Sequence, residues 1–134
     1  MEKRDLYLSD IMSKKLHTLK PDDSVLDNVD IFNELKLHHL PVVIGENEPI
    51  GMVSKRDFDN YRNILRVIDN DGKSVKIREI MTEPIFSFFE DVPITQAAQA
   101  MIDNHINAIV VINRNEKMVG IVTSTDLLRF VAKS

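Results

Sequence analysis

The chain has no cysteine among its 134 residues. That excludes a disulfide framework, a thiolate metal site and a cysteine nucleophile, and it fits a reducing cytosol. No apolar run approaches the roughly 18 residues of a membrane span. The N-terminus, Met1-Glu2-Lys3-Arg4-Asp5, is charged and lacks the apolar stretch of a signal peptide. There is no basic stripe either: the net charge is −4, and Lys14-Lys15 and Lys55-Arg56 are short pairs. A nucleic-acid partner is therefore not expected. Gly-x-Ser-x-Gly, Walker A and Gly-x-Gly-x-x-Gly segments are also missing, so catalysis has little support. With 43% apolar and 28% charged residues, the composition is that of a soluble globular protein, expected in the cytoplasm.

What the chain does have is a repeat. Asp10-Ile11-Met12-Ser13 returns as Glu79-Ile80-Met81-Thr82, and Gly51-Met52-Val53-Ser54-Lys55-Arg56-Asp57 returns as Gly120-Ile121-Val122-Thr123-Ser124-Thr125-Asp126. Both offsets are 69, so residues 10–57 overlay 79–126 without a gap. Seven of these 48 pairs are identical (Ile11, Met12, Asp22, Val42, Gly51, Val53 and Asp57 with their counterparts), and the rest of the match is one of chemical class. A repeat this long is a folding unit. Half-domains of about 60 residues have marginal cores alone, so a shared face is expected. The boundaries read as repeat 1 over 1–68, a linker over 69–76 and repeat 2 over 77–134.

The periodicity changes in the same order in each repeat. Residues 16–19 and 85–89 predict brief extended segments. Asp22 and Asp91 sit near a helix start, and Pro93 suits a first turn. Val25, Val29 and Phe32 predict a helix to about Lys36; Ile94, Ala98 and Met101 predict one to about His105. Two apolar runs with a polar turn follow, 40–44 with 50–53 and 108–112 with 118–122, as hairpins covered on both faces. Pro41 belongs at a strand start or an edge. A last helix starts after Ser54 and after Thr123, with apolar positions Phe58, Tyr61 and Leu65, then Leu127, Leu128 and Val131. The first of these runs on toward a turn at Asp69-Asn70-Asp71-Gly72. That turn is no calcium loop, because position 80 is Ile. The expected class is α+β, two β-α-β-β-α repeats.

This pattern resembles a free-standing tandem pair of cystathionine-β-synthase (CBS) domains, over about residues 6–131. The resemblance is carried by the Asp-Ile-Met and Glu-Ile-Met starts, by His39-Leu40-Pro41-Val42-Val43, and by the two Gly-h-h-(Ser/Thr)-x-x-Asp segments, where h is hydrophobic. It implies repeats packed sheet to sheet about a pseudo-twofold axis. It also implies clefts that take adenine nucleotides or S-adenosylmethionine, pairing into a homodimer, and a regulatory role without an obligatory cofactor. The 134 residues hold no effector domain, so output is expected through another, unidentified effector protein.

Asp57 and Asp126 are the leading site candidates. A carboxylate can accept from both hydroxyls of a ribose, and the resemblance implies that use. Ser54-x-x-Asp57 and Thr123-x-x-Asp126 equally match a helix capping box. The two roles are compatible, since a helix N-terminus also presents free N–H groups to an anion. Ser54, Lys55 and Arg56, with Thr123, Ser124 and Thr125, could hold a phosphate; Lys55 and Arg56 are otherwise a solvated pair. The resemblance implies that Asp126 faces Lys15, Leu16, His38 and His39, with Pro41 in the same set, and that Asp57 faces Pro84, Ile85, Asn107 and Ala108. Family members often carry His or Arg where Asn107 and Ala108 stand, which weakens the phosphate grip there. Adjacent histidines on an extended segment point to opposite faces, so His38 and His39 are not expected to share a metal. Met12 and Met81 read as core residues. The leading function is a sensor of adenosyl compounds that signals to a partner; the alternative is a ligand-free dimerisation or scaffold module.

Overall fold

The computed structural model describes residues 6–28, 30–68, 75–83 and 85–133. Its elements are α1 (Leu8–Ile11), α2 (Ile31–Leu35), β1 (His39–Ile44), β2 (Glu48–Ser54), α3 (Lys55–Ile68), β3 (Ser87–Phe89), α4 (Ile94–Asn104), β4 (Ala108–Ile112), β5 (Met118–Thr123) and α5 (Ser124–Lys133). The class is α+β, with a two-stranded sheet β1-β2 and a three-stranded sheet β3-β4-β5. The expected turn at Asp69-Asn70-Asp71-Gly72 and the residues Val29 and Pro84 lie outside the described residues.

Two compact units emerge, and they do not follow the repeat boundaries. One comprises residues 17–85, the other residues 1–16 with 86–134. Each repeat's leading segment packs on the other repeat's strands and helix. Ser13 pairs with Ile121 (N–H to O 2.9 Å, and 3.1 Å in return), as Thr82 pairs with Met52 (2.8 and 3.2 Å). The Leu8 N–H donates to Val92 O and the Ile77 N–H to Asp23 O (3.0 and 2.9 Å). The acids of the two starts secure these segments locally: Asp10 accepts from the Tyr7 N–H (2.8 Å) and Glu79 from the Lys76 N–H (2.7 Å). The Asp22 carboxylate adds ion pairs to Arg78 and Lys76.

Both hairpins are present, each with a bulge, at Val42/Val43 and at Val111/Ile112. Leu40, Pro41, Val42 and Val43 of β1 and Ile109 through Ile112 of β4 are buried, as strands covered on both faces require. The core of the 17–85 unit gathers Leu19, Val25, Phe32, Leu40, Val42, Val53, Phe58 and Ile77. Phe32 and Phe58 meet edge to face at 5.4 Å. The other unit's core gathers Leu8, Ala97, Met101, Ile109, Val111 and Val122.

Two expectations need correction. The stripe over Val25 to Phe32 is not one helix: a 3-10 turn, Leu26–Asn28, precedes a five-residue α2. Its end does fall at Lys36, in the left-handed region like His105 of α4 (φ 56° and 54°). The extended segment at 16–19 is a single bridge, Leu19 to Val42, where repeat 2 has the strand β3 parallel to β4. Two prolines account for this. Val110 donates to Phe86 O (3.0 Å), but its counterpart Pro41 has no N–H for His17 O. Pro21 likewise has none for the next rung, so the ladder stops on both sides of Leu19. The Pro41 carbonyl accepts from the Leu19 N–H (2.9 Å), so its polar groups face away from β2, on the edge side expected of a proline. Of the apolar positions of α5, Leu128 and Val131 stand in solvent.

Gly51 and Gly120 each make room for a methionine. A Cβ on Gly120 would lie 2.5 Å from Met12 Sδ, and one on Gly51 would lie 2.6 Å from Met81 Sδ. Overpacking of this kind costs about 1–3 kcal/mol. Gly120→Ala should lower the urea stability by that order. Combining it with Met12→Ala should give a loss clearly smaller than the sum of the single losses, since the second change removes the clash. Strict additivity in a double-mutant cycle would count against the contact.

Candidate functional site

Each repeat builds the same corner. β2 runs into α3 at Ser54-Lys55, and β5 runs into α5 at Thr123-Ser124. The start of the preceding strand is tied to that corner: the Lys55 N–H donates to His38 O (2.7 Å) and the Ser124 N–H to Asn107 O (2.9 Å). The hairpin register brings His39 opposite Ser54 and Ala108 opposite Thr123. So His38, His39, Ser54, Lys55, Arg56 and Asp57 gather in one unit, with Pro41 buried two residues into β1. Asn107, Ala108, Thr123, Ser124, Thr125 and Asp126 gather in the other, which also holds Lys15 and Leu16. Ile85 is half-buried in the unit of Asp57.

The backbone corners match, but the acids are used differently. Thr123 and Asp126 form a complete reciprocal cap. The Asp126 N–H donates to Thr123 Oγ1 (3.3 Å), and Asp126 Oδ2 accepts from the Thr123 N–H (2.9 Å) and hydroxyl (3.1 Å). Asp126 Oδ1 lies 3.7 Å from Arg129. In the other corner only half the box forms: the Asp57 N–H donates to Ser54 Oγ (3.1 Å). Among the described residues the exposed Asp57 carboxylate accepts no hydrogen bond, and Lys55 and Arg56 make no ion pair. The first corner therefore offers an open acid beside two open cations. The second offers a fixed acid beside neutral hydroxyls.

His39 is half-buried, and this holds its imidazole below the ordinary histidine range; His38 pushes the same way and Asp57 opposes. Among the described residues no three His, Asp or Glu side chains converge on a metal position. Met12 and Met81 pack at the cores' margins, on Gly120 and Gly51, as their reading as core residues requires. The closed cap at Asp126 against the open one at Asp57 was not legible in the sequence, because Ser54-x-x-Asp57 and Thr123-x-x-Asp126 are the same motif.

The CBS domain profile matches residues 8–64 and 77–133. The chain belongs to the CBS domain family. It is similar to the CBS domain pair of protein MJ0100, solved in complex with 5′-methylthioadenosine and S-adenosyl-L-methionine: 27% identity, TM-score 0.80, covering 98% of this chain and 100% of that one. It also shares its fold with CBSX2 in complex with AMP (23% identity, TM-score 0.79, 96% and 97% covered). Among curated proteins, homoserine O-acetyltransferase of Methanohalobium evestigatum is 31% identical over 93% of this chain. The match spans only 24% of that enzyme, so this CBS pair corresponds to about a quarter of its length. No described helix is long and apolar enough to cross a membrane.

Two outcomes test this geometry. Asp126→Ala should cost more stability than Asp57→Ala in urea melts, because only Asp126 accepts capping bonds; Ser54→Ala and Thr123→Ala should each cost about 1 kcal/mol. The reverse order of the two Asp variants would contradict the unequal caps. His39 contributes a pH dependence whose sign is fixed. With the folded pKa below the unfolded one, the unfolded state binds more protons between the two values. Stability from neutral His39 is present above about pH 6.5 and is lost as the pH falls below it. Thermal melts from pH 7.5 to 5 should show a shallower acid-side decline in His39→Gln than in the natural chain.

Proposed function

We propose that the chain is a regulatory module that binds adenosyl compounds, with AMP, ADP, ATP and S-adenosylmethionine as the ligand class. Occupancy would be passed to an effector polypeptide, with no obligatory cofactor and no turnover of its own. The carrying observation is the duplicated corner of helix start, hydroxyl and acid. The likeness to a CBS pair solved with two adenosyl ligands supports it. In this reading each Asp accepts from a ribose, and adenine occupies an apolar slot. Lys55 and Arg56 favour phosphorylated ligands at the first corner, through charge-assisted bonds. The neutral Ser124 and Thr125 suit a ligand without phosphate. The module acts in the cytoplasm and pairs with a second copy.

A ligand-free scaffold is the second reading. The complete cap at Thr123 and Asp126 favours it, since those groups already satisfy each other.

Thermal-shift and calorimetric titrations with S-adenosylmethionine, 5′-methylthioadenosine, AMP and ATP separate the two. A ligand at 100 times its Kd should add about 2.7 kcal/mol. Asp126→Ala should remove one site and Asp57→Ala the other, each lowering the stoichiometry while the remaining affinity is unchanged. Unshifted melting with all four compounds at millimolar concentration would leave only the scaffold.

A further inference from the structure

With no cysteine in the chain, methionine is the only sulfur it presents to an oxidant. The described methionines fall into two groups. Met101 and Met118 are buried, whereas Met12, Met52 and Met81 are half-buried. Two of those three are the pair that lies on a glycine. Met12 Sδ takes the place of a Cβ on Gly120, and Met81 Sδ that of a Cβ on Gly51. Each thioether is therefore pressed on strand backbone at the margin of a hydrophobic cluster, in a residue that solvent still reaches. The same arrangement occurs in both units.

The chemistry open to such a thioether is oxygen transfer from a hydroperoxide. A sulfur lone pair attacks one peroxide oxygen, the S–O bond forms and the O–O bond breaks. The departing oxygen takes the proton and leaves as water or an alcohol. Sulfur is oxidised by two electrons and the peroxide is reduced by two. The product is a sulfoxide, polar and one oxygen larger, and reversible by reductase and thiol. At these two positions it fits poorly. The space toward the glycine is already closed, and the cluster margin is apolar, where an S–O dipole loses its hydration. The place in the chain gives the misfit a consequence. Met12 precedes Ser13, bridged to Ile121, and Met81 precedes Thr82, bridged to Met52. Two residues beyond each bridge stand Thr123 and Ser54, the hydroxyls of the two corners. A leading segment that comes loose frees the strand just before its corner.

We propose that Met12 and Met81 are oxidation sites, at which a hydroperoxide forms methionine sulfoxide and loosens the leading segments from β5 and β2. This goes beyond adenosyl binding and does not rest on it. The full chain treated with hydrogen peroxide tests it, by mass-spectrometric peptide mapping and amide hydrogen exchange. Met12 and Met81 should gain oxygen roughly tenfold faster than Met101 and Met118. The Ser13 and Thr82 amides, which donate to Ile121 and Met52 (2.9 and 2.8 Å), should then exchange roughly tenfold faster. Methionine sulfoxide reductase with a thiol should restore the original exchange. Met12→Leu combined with Met81→Leu keeps the apolar bulk and should make both amides indifferent to peroxide, whereas Met52→Leu should not protect them. Oxidation at Met12 and Met81 no faster than at Met101 and Met118 overturns the sites. Sulfoxide at both with unchanged Ser13 and Thr82 exchange overturns the loosening, as does peroxide sensitivity that persists in the double leucine variant. None of these results bears on whether adenosyl compounds bind.

Discussion

A methionine laid against a glycine, twice, is the contact on which the rest of this structure depends. Met12 and Met81 sit where a Cβ on Gly120 or Gly51 would stand. The close approach brings Ser13 to Ile121 and Thr82 to Met52, and so extends each hairpin by an antiparallel bridge supplied by the other repeat's leading segment. Leu8 and Ile77 then drop into cores to which their own repeats contribute none of the other buried residues. A repeat cut at its sequence boundary would keep its hairpin but lose a fully buried aliphatic residue and the bridge beside it. Burial of such a side chain is worth about 1.5–3 kcal/mol, a large part of what a core of this size supplies. The exchange therefore makes the duplication cooperative: neither repeat is complete without the other's start.

Much of this was legible in the sequence, because the hairpins and final helices are specified locally. Continuous runs such as Ala108 to Ile112 can only be strands buried on both faces, and the Ser/Thr-x-x-Asp steps mark where α3 and α5 begin. The exchange of starts was not legible. Asp10-Ile11-Met12 and Glu79-Ile80-Met81 announce a short capped turn, and nothing within nine or ten residues says which hairpin it will join. The 3-10 break before α2 was hidden for a similar reason. Val25 and Phe32 have helical spacing, yet both are buried through tertiary contacts that a 3-10 turn satisfies equally well. The missing strand before Leu19 was written in Pro21 and Pro41, but only a parallel pairing already in hand gives those two nitrogens a common meaning.

The candidate corners show a similar limit. Sequence spacing gives two equal motifs, and the structure separates them by what each carboxylate already does. Asp126 is held on both the Thr123 N–H and its hydroxyl, which pre-orients it but uses acceptor capacity. Asp57 is oriented by nothing among the described residues and keeps its acceptor capacity whole. In the proposed reading, a ribose at Asp126 shares an ordered acid and one at Asp57 orders a free one. These costs have opposite origins, one in competing bonds and one in side-chain entropy.

Across the 69-residue offset, positions that the fold constrains stay chemically alike and positions it leaves free diverge. Gly51 and Gly120 must admit a methionine; Val53 and Val122 must fill a core; Lys36 and His105 both end a helix at positive φ, although neither is glycine. Where the side chain meets no neighbouring backbone, the two halves part: Lys55-Arg56 becomes Ser124-Thr125, and Asn33, Asp59 and Arg62 become Ile102, Leu128 and Val131. Both divergences move charge out of the second repeat. The first changes the charge at the start of the last helix, and the second changes the character of the outer face.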